Sequence, residues 1–497
     1  MSDDGLSRRT FMRNSTLAAV GGVTAPLFNE AAGQEKTKGR MDTSVRKPNI
    51  VLICADQLRW DFIGANAANP TVRTPNLDAM AARGANFSKA MTNQPLCSPA
   101  RACMITGCYA TEAGVWKLNL ELNPKLPTLA SVLNENGYTT NFIGKWHLQE
   151  IDNGRTPPQR DLENRGFVKP ENRGGFKGVW EGSNALELTS QPYAGTIWNG
   201  AGEKMEYKDM YRVDYLTQRA VHFLDQQEAD KPFFLFLSHL EPHQQNEVGQ
   251  CIAPNGYAKR YQNPFVPEDL RPYPGDWQKV MPDYYGCIEK IDESVGTVLN
   301  TLQKKDLLEN TIVAFISDHG CHFRTRAVEY KRSPHDSSIR VPFIFQGPGF
   351  DHGGRRDEIV TMVDLAPTLL EAAGISAPTT MKGRNFQPLL TDIHARSQWE
   401  NIAYVQVSDA MTARAVRTDQ WLYAAVDRGL MGLEAPAGKN YEDYLLYDMY
   451  ADPAQQINLV ARPQYKVVAN EMRTLLEKKM VAAGEEPADI KPAHLYD

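Results

Sequence analysis

Cys97-Ser98-Pro99-Ala100-Arg101 sets a thiol two residues before a proline and four before an arginine, and the segment runs on into Met104-Ile105-Thr106-Gly107. With 7 Cys and 31 Pro in 497 residues, a chance Cys-x-Pro-x-Arg is expected on the order of a few hundredths of a time. The ordinary reading is a cysteine at a helix start, with Ser98 as N-cap and Pro99 at the first helical position. Other residues weigh against it. Asp56-Gln57 and Asp318-His319 offer carboxylate and amide oxygens and an imidazole, a donor set for one divalent cation. Lys145 is a compact point charge suited to a tetrahedral anion. His147 and His243 are imidazoles able to move protons near neutral pH. Singly, each has a bland explanation: Asp56 as a strand-end cap, Asp318-His319 as a polar turn before Gly320, a lone histidine as a core residue. Jointly with Cys97 they describe attack on an anionic group whose charge is neutralised first.

These residues follow short apolar runs: residues 49–55 lead into Asp56, 140–144 into Lys145-Trp146-His147, 232–238 into His239 and His243, and 312–317 into Asp318-His319. Continuous rather than alternating apolar character implies strands covered on both faces. Helical patterns lie between them. One opens at Thr74-Pro75 with Leu77, Met80 and Ala81 inward, and another runs from about Tyr284 to Leu307 through Ile288, Ile291, Val295, Val298, Leu299 and Leu302. The alternation predicts an α/β fold, a large mostly parallel sheet sandwiched by helices, whose strand C-terminal ends line one ligand-binding rim. After about residue 395, residues 402–407 and 413–417 read as short antiparallel strands, Tyr444 to Asp448 follows, and a helix at about 463–482 closes the chain. A smaller C-terminal antiparallel sheet plus helix subdomain is therefore expected over 396–497, beside a main domain over 47–395. Residues 152–206, rich in Gly, Asn and Arg, and 244–280, rich in Pro, Asn and Tyr, read as long functional loops.

Over roughly residues 47–460 the chain resembles the type I sulfatases of the alkaline phosphatase superfamily. The Cys97-to-Gly107 segment looks like the signature at which that family oxidises cysteine to Cα-formylglycine. Residues 49–56, Thr74-Pro75-Asn76-Leu77-Asp78, Gly144-Lys145-Trp146-His147, Ser317-Asp318-His319-Gly320, Ile339-Arg340-Val341-Pro342, Val363-Asp364-Leu365-Ala366-Pro367-Thr368 and Leu446-Tyr447-Asp448 with Asp452-Pro453 and Asn458-Leu459 resemble further family motifs, in order. The resemblance implies that Cys97, as a hydrated aldehyde, is the nucleophile, passing through a sulfate ester, and that Asp56, Gln57, Cys97, Asp318 and His319 surround one divalent cation. It implies Lys145 and Lys331 as sulfate clamps, Arg101 aimed back at the diol, His147 as the base that ejects sulfate and His243 as the acid that protonates the leaving alkoxide. His335 and Arg332, near Lys331, are candidate substrate contacts. The chain departs from the commonest pattern at Gln57, where many relatives have Asp, and at His319, where many have Asn. One imidazole among fewer carboxylates leans toward Mn2+, but Ca2+ is the first expectation.

A net charge of -6 gives no global attraction to nucleic acid or anionic membrane, so an anionic substrate needs a local basic cluster. Ser7-Arg8-Arg9-Thr10-Phe11-Met12, the weakly apolar run 16–28 and small residues at Ala31-Ala32-Gly33 read as a twin-arginine export signal over 1–33, with a polar linker at 34–46. The apolar run is too short for a membrane span. We therefore expect a periplasmic or extracellular protein that depends on the twin-arginine export machinery, and on a formylglycine-generating or anaerobic sulfatase-maturing enzyme. The seven cysteines fit no zinc or CxxC pattern. Arg155, Arg160, Arg165 and Arg173 beside Trp180, Tyr193 and Trp198 would suit a sulfated carbohydrate, arginines pairing with anionic groups and aromatic faces with sugar rings. The competing readings are a phosphonate monoester or phosphodiester hydrolase of the same superfamily and a non-catalytic glycan-binding pseudo-enzyme in which Cys97 stays a thiol.

Overall fold

The continuous apolar runs form the centre of a 12-stranded sheet. The structure, a computed structural model, describes residues 46–151 and 161–494; the export signal over 1–33, the linker to residue 45, Arg155 and Arg160 lie outside the described residues. The strands of this sheet are β1 (Asn49–Asp56), β2 (Ala85–Met91), β3 (Thr139–Lys145), β4 (Trp180–Ser183), β5 (Ser190–Gln191), β6 (Ala194–Asn199), β7 (Lys204–Lys208), β8 (Phe233–Pro242), β9 (Thr311–Ser317), β10 (Arg340–Val341), β11 (Phe343–Gln346) and β12 (Gly354–Thr361). Their order is β10-β2-β11-β9-β1-β8-β3-β4-β6-β5, with β12 beside β2 and β7 beside β6. β9, β1, β8, β3 and β4 run parallel. β11 is antiparallel to both β9 and β2, so β2 points the same way as β9.

The two-sided burial of β1 explains its unbroken apolar sequence. Ile50, Leu52 and Cys54 face a core shared with the helices Cys97–Thr106, Leu129–Glu135 and Leu365–Ala372. Val51, Ile53 and Ala55 face another, shared with Pro75–Arg83, Arg212–Asp225 and Trp277–Lys304. Successive side chains of a strand point to opposite faces, so a strand covered twice has no polar side. The long helix begins at Trp277, well before the expected Tyr284, and carries Pro282 inside it. Proline reads as a helix breaker, but Val280, Met281, Tyr284 and Tyr285 all bury into the core and hold the helix through it.

Residues 161–206, the described part of the stretch expected to be a loop, differ from that expectation. Four short strands, β4 to β7, extend the sheet there, and Trp180 and Trp198 are 2% and 1% exposed. Strands of two to six residues are too short to show a readable period in sequence.

The C-terminal sheet has β13 (Ile402–Val407), β14 (Thr412–Thr418), β15 (Trp421–Asp427) and β16 (Asn440–Asp448) antiparallel in sequence order, with β17 (Asp489–Lys491) parallel to β16. One face packs under the helix Lys466–Ala482 through Ala469, Met472, Leu476 and Met480. The other packs Ala403, Val405, Ala415 and Leu422 on Met91, Ile339 and Ile359 of the larger sheet's side.

Gly144 shows how tightly the centre is built. At φ +114 its missing Cβ would lie 1.9 Å from the Ser238 carbonyl oxygen on neighbouring β8. Gly144→Ala is expected to cost about 3 kcal/mol or more, from overpacking and a strained positive φ together. Denaturant unfolding measures this; a loss below about 1 kcal/mol would mean that β3 and β8 re-space freely.

Candidate active site

Parallel strands bring their C-terminal ends to one rim, and the polar residues that follow them meet there. β1 delivers Asp56 and Gln57, β9 delivers Asp318 and His319, β3 delivers Lys145 and His147, and β8 delivers His243. β2 shares their direction, and the chain beyond it enters the wholly buried helix Cys97–Thr106. That helix starts at Cys97, not after Ser98. Leu96 occupies the N-cap without a side-chain hydrogen bond, leaving the helix's positive N-terminal end directed at the site. Gln57 and His147 both have positive φ, 73 and 62, a backbone state that non-glycine residues adopt sparingly and mostly at functional sites.

Donor atoms of Asp56, Cys97, Asp318 and His319 lie within 4.8 Å of one another, all buried. Cys97 Sγ is 3.2 Å from His319 Nε2, 3.5 Å from Asp56 Oδ1 and 3.0 Å from Lys331 Nζ. The residues fit a cation on four counts. His319 Nδ1 lies 3.0 Å from the Gly320 carbonyl, to which it donates, so the lone pair of Nε2 faces Asp56 and Asp318 at 3.5 and 3.6 Å. Gln57 spends its amide Nε2 on Gln244 Oε1 at 2.8 Å and leaves its buried Oε1 without a partner. Asp318 Oδ2 accepts no hydrogen bond of good geometry, although the Arg101 guanidinium lies 3.2 Å from it. Two buried carboxylates so close disfavour each other's charge: burial and Asp56 together push Asp318 upward.

Fixed cations surround the cluster. Lys145 Nζ is 2.7 Å from Asp56 Oδ2 and 3.1 Å from Glu187 Oε1. Arg101 lies one helical turn beyond Cys97, and its guanidinium ties strand ends together. It reaches the Lys145 carbonyl at 2.8 Å, Ser238 Oγ at 2.7 Å, and the Asp56 and Asp318 carboxylates at 3.3 and 3.2 Å. Burial opposes the Cys97 thiolate, yet chiefly Lys145 and Lys331 overcome it and hold the thiol well below its usual range. The pocket therefore favours negative charge at residue 97. Asp56 is likewise held low: burial and Cys97 raise it, but Lys145, His243 and Lys331 prevail.

The two candidate proton carriers flank this centre. His147, with Nδ1 3.7 Å from Glu187 Oε1, is among the groups that favour the Cys97 thiolate. His243 Nδ1 is 2.7 Å from the Gln244 carbonyl, so it carries the proton there and leaves Nε2 free. Lys331 and Arg332 are positioned by Glu329, whose carboxylate accepts their backbone N–H groups at 3.0 and 2.6 Å. The Arg332 guanidinium pairs with Glu329 at 3.5 Å and with Asp409, on the turn between β13 and β14, at 3.2 Å.

The remaining expected contacts are committed elsewhere. His335 has Nδ1 3.2 Å from Ser333 Oγ and Nε2 3.3 Å from Tyr447 on β16, which stitches its loop to the C-terminal sheet; burial holds it neutral. His239 lies within β8 against Ser294, pushed down to about 3 by burial and Arg212. Arg173 bonds the carbonyls of Val168 and Gly200 and stacks over buried Trp180. Trp180 and Trp198 therefore cannot stack on a sugar, and the pairing of these aromatics with arginines serves packing. The seven cysteines are unpaired and buried. Glu187, Ser238, Gln244, Glu329 and Asp409 escaped sequence reading. The one local signal was an acid set between leucines in Leu186-Glu187-Leu188, where a carboxylate is expected to need a buried partner.

Residues 48–375 match the family model for sulfatases, and 328–482 match that for the C-terminal region of N-sulphoglucosamine sulphohydrolase. The chain is similar to an ulvan-active sulfatase of Formosa agariphila, 30% identical over 459 residues, covering 88% of this chain and 82% of that one. It is 23% identical over 531 residues to an N-acetylglucosamine-6-O-sulfatase of Bacteroides thetaiotaomicron, covering 91% and 89% of the two chains. A crystal structure of a putative sulfatase from Bacteroides fragilis superposes with a TM-score of 0.73 at 25% identity, over 90% of this chain and 98% of that one.

Proposed function

The chain belongs to the sulfatase family and is a sulfuric ester hydrolase, and on that premise we propose that it removes sulfate from carbohydrate monoesters using residue 97 as nucleophile. The observation that carries this reading is the convergence of Lys331 Nζ, His319 Nε2 and Asp56 Oδ1 within 3.0 to 3.5 Å of Cys97 Sγ. Cys97 Sγ stands in for the oxygens of the hydrated formylglycine aldehyde, which supplies one hydroxyl to attack sulfur and a second to expel sulfate. Asp56, Gln57, Asp318 and His319 would hold a divalent cation, Ca2+ before Mn2+, which when bound supplies a Lewis acid at the sulfate oxygens.

The chain's own residues perform the rest. Lys145 and Lys331 bind the sulfate as point charges. Arg101 holds the Asp56 and Asp318 carboxylates in register through a buried guanidinium. His243, with Nδ1 pinned on the Gln244 carbonyl, presents Nε2 to protonate the departing alkoxide. His147 takes the proton of the second hydroxyl. Arg332, fixed by Asp409, stands beside Lys331 as a contact for the sugar, while His335 supports the same loop from behind.

The carbohydrate class is supported by what the similar proteins are named for, an N-sulphoglucosamine sulphohydrolase and an N-acetylglucosamine-6-O-sulfatase. Export is supported by the twin-arginine pattern, and among the described residues no helix is long and apolar enough to cross a membrane. Maturation by a formylglycine-forming enzyme follows from the cysteine signature. The test compares kcat/KM on sulfated mono- and oligosaccharides, an aryl sulfate, a phenylphosphonate and a bis-aryl phosphate, using protein whose residue 97 is identified by mass spectrometry. Sulfated sugars are expected to lead. Preference for the phosphonate or the diester would overturn the substrate class, and an unmodified thiol in protein from the native host would overturn the nucleophile.

A further inference from the structure

Glu187 is the buried acid of the site for which neither sulfate binding nor cation binding has a use. It sits on the short helix Leu186–Thr189, 5% exposed, beyond β4. Its Oε1 lies 3.1 Å from Lys145 Nζ and 3.7 Å from His147 Nδ1. Its Oε2 is buried with no hydrogen-bond partner, and so is His147 Nδ1. A buried orphan acceptor beside a buried orphan ring nitrogen is costly unless they come to share a proton. Burial alone would raise this carboxyl, but Lys145, His147 and His243 bring it down to about 2. It is therefore a fixed negative charge behind the imidazole. The His147 backbone is held by its N–H on the Asn184 carbonyl at 2.8 Å, just upstream of Glu187, so ring and carboxylate share one rigid anchor.

We propose that Glu187 is a positioning residue for the second half of the reaction, orienting His147 so that its Nε2 faces residue 97 while Nδ1–H points to the carboxylate. The inference rests on His147 being the base. In that half-reaction Nε2 takes the proton from the free hydroxyl on residue 97. The O–H electron pair becomes the second bond of the carbonyl. The bond from carbon to the sulfate oxygen breaks, and sulfate leaves with that pair. A carboxylate behind the ring fixes the tautomer that can accept the proton and stabilises the imidazolium that results. The 3.7 Å separation is short enough for a small shift of the ring to make the hydrogen bond, and catalytic hydrogen bonds are often this long before substrate binds. Lys145 has in Asp56, at 2.7 Å, a nearer partner than Glu187 at 3.1 Å, so sulfate capture is expected to survive loss of the Glu187 charge.

The test is kinetic and chemical on the matured enzyme. In Glu187→Gln, kcat is expected to fall by about 10²-fold, within the range for general acid–base contributions. kcat/KM, which reports only the steps through leaving-group departure, is expected to stay within about threefold. A burst of alcohol close to one equivalent per enzyme should precede the slow steady state, with sulfate retained on the residue-97 peptide by mass spectrometry. Glu187→Asp should restore part of kcat and shrink the burst, which a merely structural residue would not do. His147→Ala is the control. If it gives no burst, the base assignment has failed. If it gives a burst and Glu187→Gln instead loses kcat and kcat/KM together without retained sulfate, the positioning role is overturned while the base stands.

Discussion

Cys97→Ala is expected to lower turnover of a sulfate ester by about 10⁵-fold or more, the scale seen when an enzyme loses its nucleophile. The loss arises because no other side chain near the cluster offers an oxygen to sulfur: Lys145, Lys331 and Arg101 are cations, and Asp56 and Asp318 are committed to ion pairs. Folding should change little. The residue is 1% exposed but small, so its truncation should cost about 1 kcal/mol. Cys97→Ser separates the diol from any single-oxygen nucleophile. A serine ester lacks the second hydroxyl that expels sulfate, so the variant should release at most one equivalent of alcohol and then stop. Rapid-quench counting of product per enzyme, with mass spectrometry of the residue-97 peptide, reads both outcomes. Sustained multiple turnover by either variant would remove the diol from the mechanism.

Chelation should abolish activity, and Ca2+ or Mn2+ should restore it; a readout independent of turnover is thermal unfolding. A cation at a hundredfold excess over its Kd stabilises the folded state by about 2.7 kcal/mol, so its removal should lower Tm by several degrees. Asp318→Ala should erase the cation-dependent shift while leaving Arg101 paired with Asp56. Asp56→Ala should erase it too but destabilise further, because it strips a partner from Lys145 and Arg101 inside the core. Lys145 keeps Glu187 and Arg101 keeps Asp318, so the added loss should stay below about 3 to 5 kcal/mol, the cost of a fully unpaired buried charge. If both variants keep near wild-type rates, or if chelation leaves Tm unchanged in wild type, the donor cluster does not hold a functional cation.

Much of the fold could be read along the chain because the decisive pattern is local. Residues 49–55, 140–144, 232–238 and 312–317 are apolar without alternation, and that alone demands strands covered on two faces. Parallel strands then carry whatever follows them to one edge. The chemistry of Asp56, Lys145, His147, His243 and Asp318 was visible because each lies within five residues of the end of such a run. The C-terminal strands were visible for a similar reason, their five- and six-residue runs lying between polar turns.

What the tertiary structure decided is everything that depends on distance between segments remote in sequence. Glu187 reaches Lys145 and His147 from 42 and 40 residues away, out of a stretch whose strands are too short to show a readable period. Asp409 reaches Arg332 from the C-terminal sheet, and Tyr447 reaches His335 from the same sheet. Type and spacing marked Trp180, Trp198 and Arg173 as a sugar platform, yet the added strands bury both rings and turn the guanidinium onto carbonyls. An aromatic beside an arginine has the same sequence whether it faces solvent or core; which face it takes is set by the strands that pack over it. The amino-acid order thus determined the parallel centre of the sheet and the polar residues at its rim, because periodicity and strand direction are local properties. Packing across the chain decided which carboxylate lies beside His147 and which one holds Arg332.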